Sequence, residues 1–254
     1  MRILLIAHNT FREVVRDRVL AGIVIGGLVL MAITRVASPL AMGEGLRLSV
    51  DLGLSSISWL GLLVVLTVGS ALVSKEIDRR TIFNLLSRPL PRPFYLVGKW
   101  LGLSGALWAV AGLLGVALCL LLAALGHAPL AGPVAEGVFL AALELAVIAS
   151  LAVMFSALST PVLSALYTLG FFLAGQWCDD VRRLAVQSPA GVRELLGGIA
   201  NLMPNLPLFN MRALAAAGEP TTWIHLGLAT AYATLYCGCV LALAAAAFES
   251  RDFK

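Results

Sequence analysis

Apolar residues run along this chain in long blocks separated by short polar intervals. Six blocks, Val19–Val36, Leu52–Val73, Trp100–Leu125, Val138–Leu158, Val162–Trp177 and Trp223–Phe248, carry few charges. Their lengths lie near the ~20 helical residues needed to cross a hydrocarbon core. They predict an all-α, polytopic membrane protein with about six transmembrane helices in a single domain, residues 1–254. The fifth block is the shortest. It opens after Ser159-Thr160-Pro161, with proline near the first helical position, so the fourth and fifth spans form a hairpin with almost no loop.

Two further regions have patterns of their own. In residues 1–18, Ile3, Leu4, Ala7, Phe11, Val14 and Val15 recur at helical spacing, while Asn9, Arg12, Glu13, Arg16 and Asp17 take the other side. This predicts an interfacial helix in the cytoplasmic headgroup layer; a plain extension of the first span is the alternative. Residues 178–222 are too polar to span. There Ser188-Pro189 forms a helix start, Leu195, Leu196, Ile199 and Leu202 supply an apolar stripe, and Met203-Pro204-Asn205-Leu206-Pro207 stops it. Leu208–Ala217 could start another, so short extracytoplasmic helices packed at the outer surface are expected.

Composition agrees with lipid as the solvent: 60% of residues are hydrophobic, 13% are charged, and mean hydropathy is +0.94. The net charge of +4 does not point to nucleic acid, because the 18 Lys and Arg lie between and at the ends of the blocks. Under six spans, 12 fall on the side of the termini and the 74–99 loop, against 6 on the other. The positive-inside rule therefore puts both termini and that loop in the cytoplasm, with the chain in the cytoplasmic (inner) membrane. The first block is too long for a signal-peptide core and is expected to remain as an anchor. Cys119, Cys178, Cys237 and Cys239 match no disulfide or zinc spacing.

The cytoplasmic loop, Lys75 to Arg92, is dense in charge yet holds Ile77, Ile82, Phe83, Leu85, Leu86 and Leu90. Ile82, Leu85, Leu86 and Pro89 share one face of a short helix, which the Pro89, Pro91, Pro93 series ends. An exposed amphipathic helix of this kind suits a groove on another protein. Glu76, then Thr81 five residues on, then Leu-Leu-Ser-Arg-Pro-Leu-Pro-Arg, and Gly98-Lys99 entering the third span resemble the permease subunits of type-2 ABC transporters. Asn205–Asn210 and Arg251-Asp252-Phe253 are most similar to the multicopper-enzyme-maturation branch. The likeness covers the whole chain in topology, with about 25 residues of sharp motif.

The resemblance implies a dimer with a second permease copy or a paralogue, each seated on a cytoplasmic ATP-binding cassette subunit. The coupling helix would fall on Glu76, Arg80, Thr81, Phe83, Leu85, Leu86, Ser87 and Arg88. No cofactor is expected on this chain, with ATP and Mg held by the partner. The residues agree, because no Gly-x-x-x-x-Gly-Lys-Ser/Thr loop occurs. Gly98-Lys99-Trp100 reads instead as a membrane-interface Lys and Trp pair.

Glu144 lies within the fourth block, a turn or two from its start. An ionisable group there suggests either a polar contact between helices or a place in a substrate path. Asp179-Asp180 read as a solvated helix end, and the scattered His and Met residues form no soft-metal site. Gly22, Gly26 and Gly27, and Gly105, Gly112 and Gly115, permit close packing. Three function classes remain: an ATP-driven permease, a force-transmitting membrane partner of an extracytoplasmic protein, and an intramembrane enzyme. The last is disfavoured by the lack of His-Glu-x-x-His, Gly-x-Ser-x-Gly or paired in-membrane carboxylates.

Overall fold

The computed structural model describes residues 2–37, 45–75 and 92–249. Among these every regular element is helical. The helices are α1 (Arg2–Val15), α2 (Arg18–Ala37), α3 (Gly45–Thr67), α4 (Arg92–Ala124), α5 (Ala131–Leu158), α6 (Pro161–Gln176), α7 (Cys178–Gln187), α8 (Ala190–Leu202), α9 (Arg212–Ala217) and α10 (Trp223–Glu249). Single 3-10 turns at Gly69–Ala71, Ala128–Leu130 and Leu206–Phe209 extend or join them.

Among the described residues, four helices are long and apolar enough to cross a membrane: α3 with its 3-10 extension, α4, α5 with the turn before it, and α10. The apolar stretches of α2 and α6, Arg18–Ile33 and Pro161–Gln176, are shorter. The fourth block begins earlier than its sequence suggests, because Gly132 and Pro133 are absorbed into the first turn of α5. At 16 residues and 1.5 Å per residue, α6 is ~24 Å long, short of the ~30 Å core. The 33 residues of α4 measure ~50 Å and so outrun it.

α5 is the central helix. Every residue from Leu140 to Val153 is buried, with α3, α4, α6 and α10 packed around it. A helix apolar on all sides is what this position requires, since no face of it is left to solvent. Hydroxyls on the helices mostly bond back to a carbonyl one turn earlier, as Ser49 does to Gly45, Thr168 to Ser164 and Thr230 to Leu226. Such bonds satisfy a polar group locally at little cost. The Trp100 and Trp108 indoles instead donate to carbonyls of α5, Ala146 at 3.0 Å and Ala142 at 2.9 Å.

α1 is the amphipathic helix expected, but it packs on protein along the first part of α4. Its packed face is Ile3, Ile6, Ala7, Thr10, Phe11 and Val14, whereas Leu4 and Val15 are exposed. Gly98 and Gly102 make this approach possible. A Cβ on Gly102 would lie 2.5 Å from the carbonyl oxygen of Ala7, and one on Gly98 2.8 Å from Ile6. Between them, Lys99 is not an exposed interface lysine. It is 2% exposed, with Nζ 3.7 Å from Glu13 Oε2 and 5.9 Å from the Tyr95 ring centre. The small-residue motif that matters on α4 is therefore this pair; Gly27 and Gly115 also sit against neighbours, while Gly22, Gly26 and Gly112 face open space.

Residues 178–222 are structured, with one helix more than expected. Asp179 and Asp180 are the first turn of α7, where carboxylates favour the positive end of the helix dipole. Asp179 also lies 3.8 Å from Arg182. Cys178 is fully buried and its Sγ is 3.4 Å from the Ala200 carbonyl, which pins α7 to α8. Leu206 and Phe209 are buried against the bundle, Asn205 N–H donates to the Tyr232 hydroxyl at 2.8 Å, and Phe209, Tyr232 and Tyr236 stack in series. Leu195 and Leu202 are not part of this packing and remain about 70% exposed.

Candidate functional site

Glu144 occupies the midpoint of the 28-residue α5, not a position near its end, because the helix starts at Ala131. It is 4% exposed. Its carboxylate receives two hydrogen bonds from other helices: Ser58 Oγ of α3 donates to Oε2 at 3.1 Å, and Gln176 Nε2, the last residue of α6, donates to Oε1 at 2.8 Å. One charged group thus joins three helices. α3 and α6 also meet through Trp59 and Phe172, an edge-to-face pair with centroids 5.5 Å apart.

This arrangement follows from local sequence. Ser58 lies eleven residues after Arg47, so Arg47, Asp51, Ser55 and Ser58 form one stripe down α3. α6 ends where it does because Trp177 leaves the helical conformation, which brings Gln176 to the depth of Glu144. Above the carboxylate, Arg212 at the start of α9 donates to Ser55 Oγ at 3.0 Å and is close enough to attract Glu144 electrostatically. Arg47, Asp51, Ser55, Asn210 and Arg212 line a cleft of about 540 Å³. A polar column therefore descends from the cleft to the middle of the bundle.

The other end of α3 is fastened too. Ser156 Oγ of α5 accepts the backbone N–H groups of Val73 and Ser74, at 3.0 and 3.2 Å. These N–H groups lie past the 3-10 turn, where the backbone ladder of α3 no longer continues, and Ser156 supplies an acceptor for both. Ser58 on α3 and Val73/Ser74, just past its 3-10 extension, are thus both tied to α5. The coupling-helix residues Glu76, Arg80, Thr81, Phe83, Leu85, Leu86, Ser87 and Arg88 lie directly beyond, outside the described residues.

Of the residues singled out by sequence, Glu144 is thus brought into a built site, with Ser58, Gln176 and Arg212 as partners that pattern reading did not find. Each is a polar residue inside or beside an apolar block, and their spacing along the chain gives no hint that they converge. Among the described residues no cluster of His, Cys, Asp or Glu could hold a metal ion. Cys237 is buried, 3.6 Å from the Ala146 carbonyl, and Cys239 is exposed on another face.

A membrane helix bundle with one polar column is compatible with many transport proteins. The family model for ABC-2 family transporter proteins matches residues 4–252. The chain belongs to that family. No curated protein matches it. An ABC-2 permease is a transport component of the membrane, and the family generally works with a cytoplasmic ATP-binding subunit. For such a permease the informative features are those that connect helices, and the Glu144 clasp and the fastened end of α3 are of that kind.

Proposed function

We propose that this chain is the membrane-spanning subunit that couples ATP hydrolysis by a separate ATP-binding subunit to movement of a substrate across the cytoplasmic membrane. The observation that carries the reading is the pair of ties on α3. Ser58 in α3 and Val73/Ser74 just past its 3-10 extension, both tied to α5, connect the polar column to the residues that lead into segment 76–91. Displacement of that segment would be felt at Glu144, because a tied helix moves as a body. In this reading the two shorter apolar helices complete six spans, both termini are cytoplasmic, and two permeases pair as a dimer of identical or paralogous chains. ATP and Mg belong to the partner. The Leu-Leu-Ser-Arg-Pro-Leu-Pro-Arg run and the Asn205–Asn210 turn support the multicopper-enzyme-maturation branch within the family.

The test is at the coupling segment. Phe83→Asp or Leu86→Asp would place an unpaired charge in a desolvated contact, at a cost on the order of several kcal/mol. Assembly with the ATP-binding subunit, or its coupled activity, should fail while membrane insertion persists. Wild-type affinity and full activity in both variants would remove this segment from the mechanism.

A second reading is favoured by the ordered outer region. Leu195 and Leu202 present an apolar face of α8 that the chain itself does not cover. That face suits a force-transmitting permease acting on an extracytoplasmic protein without passing a substrate. Substrate-stimulated ATPase activity of the complex in liposomes would decide for transport.

A further inference from the structure

The inner end of the bundle holds a second cleft, of about 660 Å³, between the C-terminal half of α1 and the end of α3. Its polar lining is Asn9, Arg12, Glu13, Arg16, Asp17 and Lys75. Both acids are already engaged. Glu13 Oε2 faces Lys99 at 3.7 Å, and Asp17 Oδ1 accepts the Val19 N–H at 2.9 Å, capping α2. Arg12, Arg16 and Lys75 have no acidic partner among the described residues. Three cations thus converge on one cleft that also holds two carboxylates, one facing Lys99 and one capping α2, so its lining is net cationic.

The floor is apolar: Val14, Ala71 and Leu72 are buried beneath it. Beside it Val15 and Val19 are about half exposed, and farther along α1 Leu4 and Leu5 are about 70% exposed. An apolar floor, a cationic rim and flanking lipid-facing side chains call for an amphiphile with an anionic head.

We propose that this cleft binds the phosphodiester headgroup of an anionic phospholipid of the cytoplasmic leaflet. The guanidinium groups of Arg12 and Arg16 match phosphate oxygens in geometry, and Lys75, beyond the 3-10 extension of α3, closes the other side. Basic pockets at the cytoplasmic ends of membrane helices are suited to such headgroups. The bound lipid would bridge α1 to Lys75, next to segment 76–91, and so act as a regulatory strut on that segment. Only the orientation is borrowed from the function proposed above.

The experiment uses the full chain, purified in neutral detergent and supplied with equal phosphatidylglycerol and phosphatidylcholine. Retained lipid is read by native mass spectrometry. Wild type should keep phosphatidylglycerol preferentially. The triple variant Arg12→Gln, Arg16→Gln, Lys75→Gln should lose affinity on the order of a hundredfold. Arg182→Gln with Arg183→Gln on α7 should retain the lipid as wild type does. If the triple variant unfolds, the single Lys75→Gln change at an exposed position should still weaken retention about fivefold. Equal retention of the two lipids, or undiminished retention in these variants, would overturn the proposal. Displacement by inorganic phosphate at matched concentration would make this a free-anion site, and displacement by the ATP-binding subunit a protein contact; either would also overturn it. None of these readouts needs coupled ATPase activity, so failure here is separate from failure of the coupling reading.

Discussion

A single methyl group added at Gly102 tests the docking of α1. Its Cβ would meet the Ala7 carbonyl oxygen at 2.5 Å and the Thr10 Cβ at 2.6 Å. Neither is the tip of a flexible chain. An ordinary C···O contact is about 3.3–3.6 Å, so α1 must withdraw by about 1 Å along a helix whose fit depends on close approach. Overpacking of this type costs about 1–3 kcal/mol, against which alanine recovers up to ~1 kcal/mol of helix propensity. Gly102→Ala should therefore be destabilising by about 1–2 kcal/mol. Gly112→Ala is the internal control: it lies ten residues on in the same helix, with nothing within 4 Å of its Cβ, and should be neutral or stabilising by up to ~1 kcal/mol. Unfolding in mixed micelles gives the two free energies, and hydrogen exchange of residues 2–15 shows whether α1 has loosened. If Gly102→Ala is as stable as Gly112→Ala and exchange over 2–15 is unchanged, α1 does not pack on α4 as described.

At the clasp, Ser58→Ala and Gln176→Leu should each cost about 0.5–2 kcal/mol, the range for interhelical hydrogen bonds in membranes. The double variant should be non-additive because both donors share Glu144; additive effects in a double-mutant cycle would show that the two bonds act separately. Cys178 should resist alkylation. Burial raises its thiol pKa above the ordinary value, with Asp179 adding and Arg182 opposing, so the reactive thiolate is scarce at neutral pH. Its maleimide labelling should stay slow near pH 7, grow only as pH passes that raised value, and become fast once the chain is denatured; free-thiol rates near pH 7 in the folded protein would contradict this burial.

The membrane class and the α5–α6 hairpin were legible because each rests on one-dimensional signals, long apolar runs and a Ser-Thr-Pro break. Helix ends were less so. α4 begins near Arg92 and α5 at Ala131, since proline at the start of a helix extends it through residues that hydropathy counts as loop. The apolar pattern of α1 divides between two surroundings, Ile3, Ala7, Phe11 and Val14 against protein and Leu4 and Val15 exposed, because such a pattern shows which residues avoid water but not whether lipid or protein takes its place. For the same reason Gly98 and Gly102 gave no signal until α1 was seen against them. Glu144 stood out as a charge in an apolar block, yet Ser58 and Gln176 did not, being 86 and 32 residues away from it.

The shortness of α6 bears on how the chain enters the bilayer. Sixteen residues give weak independent insertion, and α5 alone would present an unpaired carboxylate at the membrane centre, which insertion machinery penalises by a few kcal/mol. Only Ser159 and Thr160 separate the two helices, so they reach the translocon almost together. Entering as a pair, α6 brings Gln176 to Glu144 before either helix has to face lipid alone. If α6 enters the bilayer with α5, the residue that ties three helices in the finished protein would also order their assembly, the hairpin partitioning as one unit and α3 closing on it through Ser58.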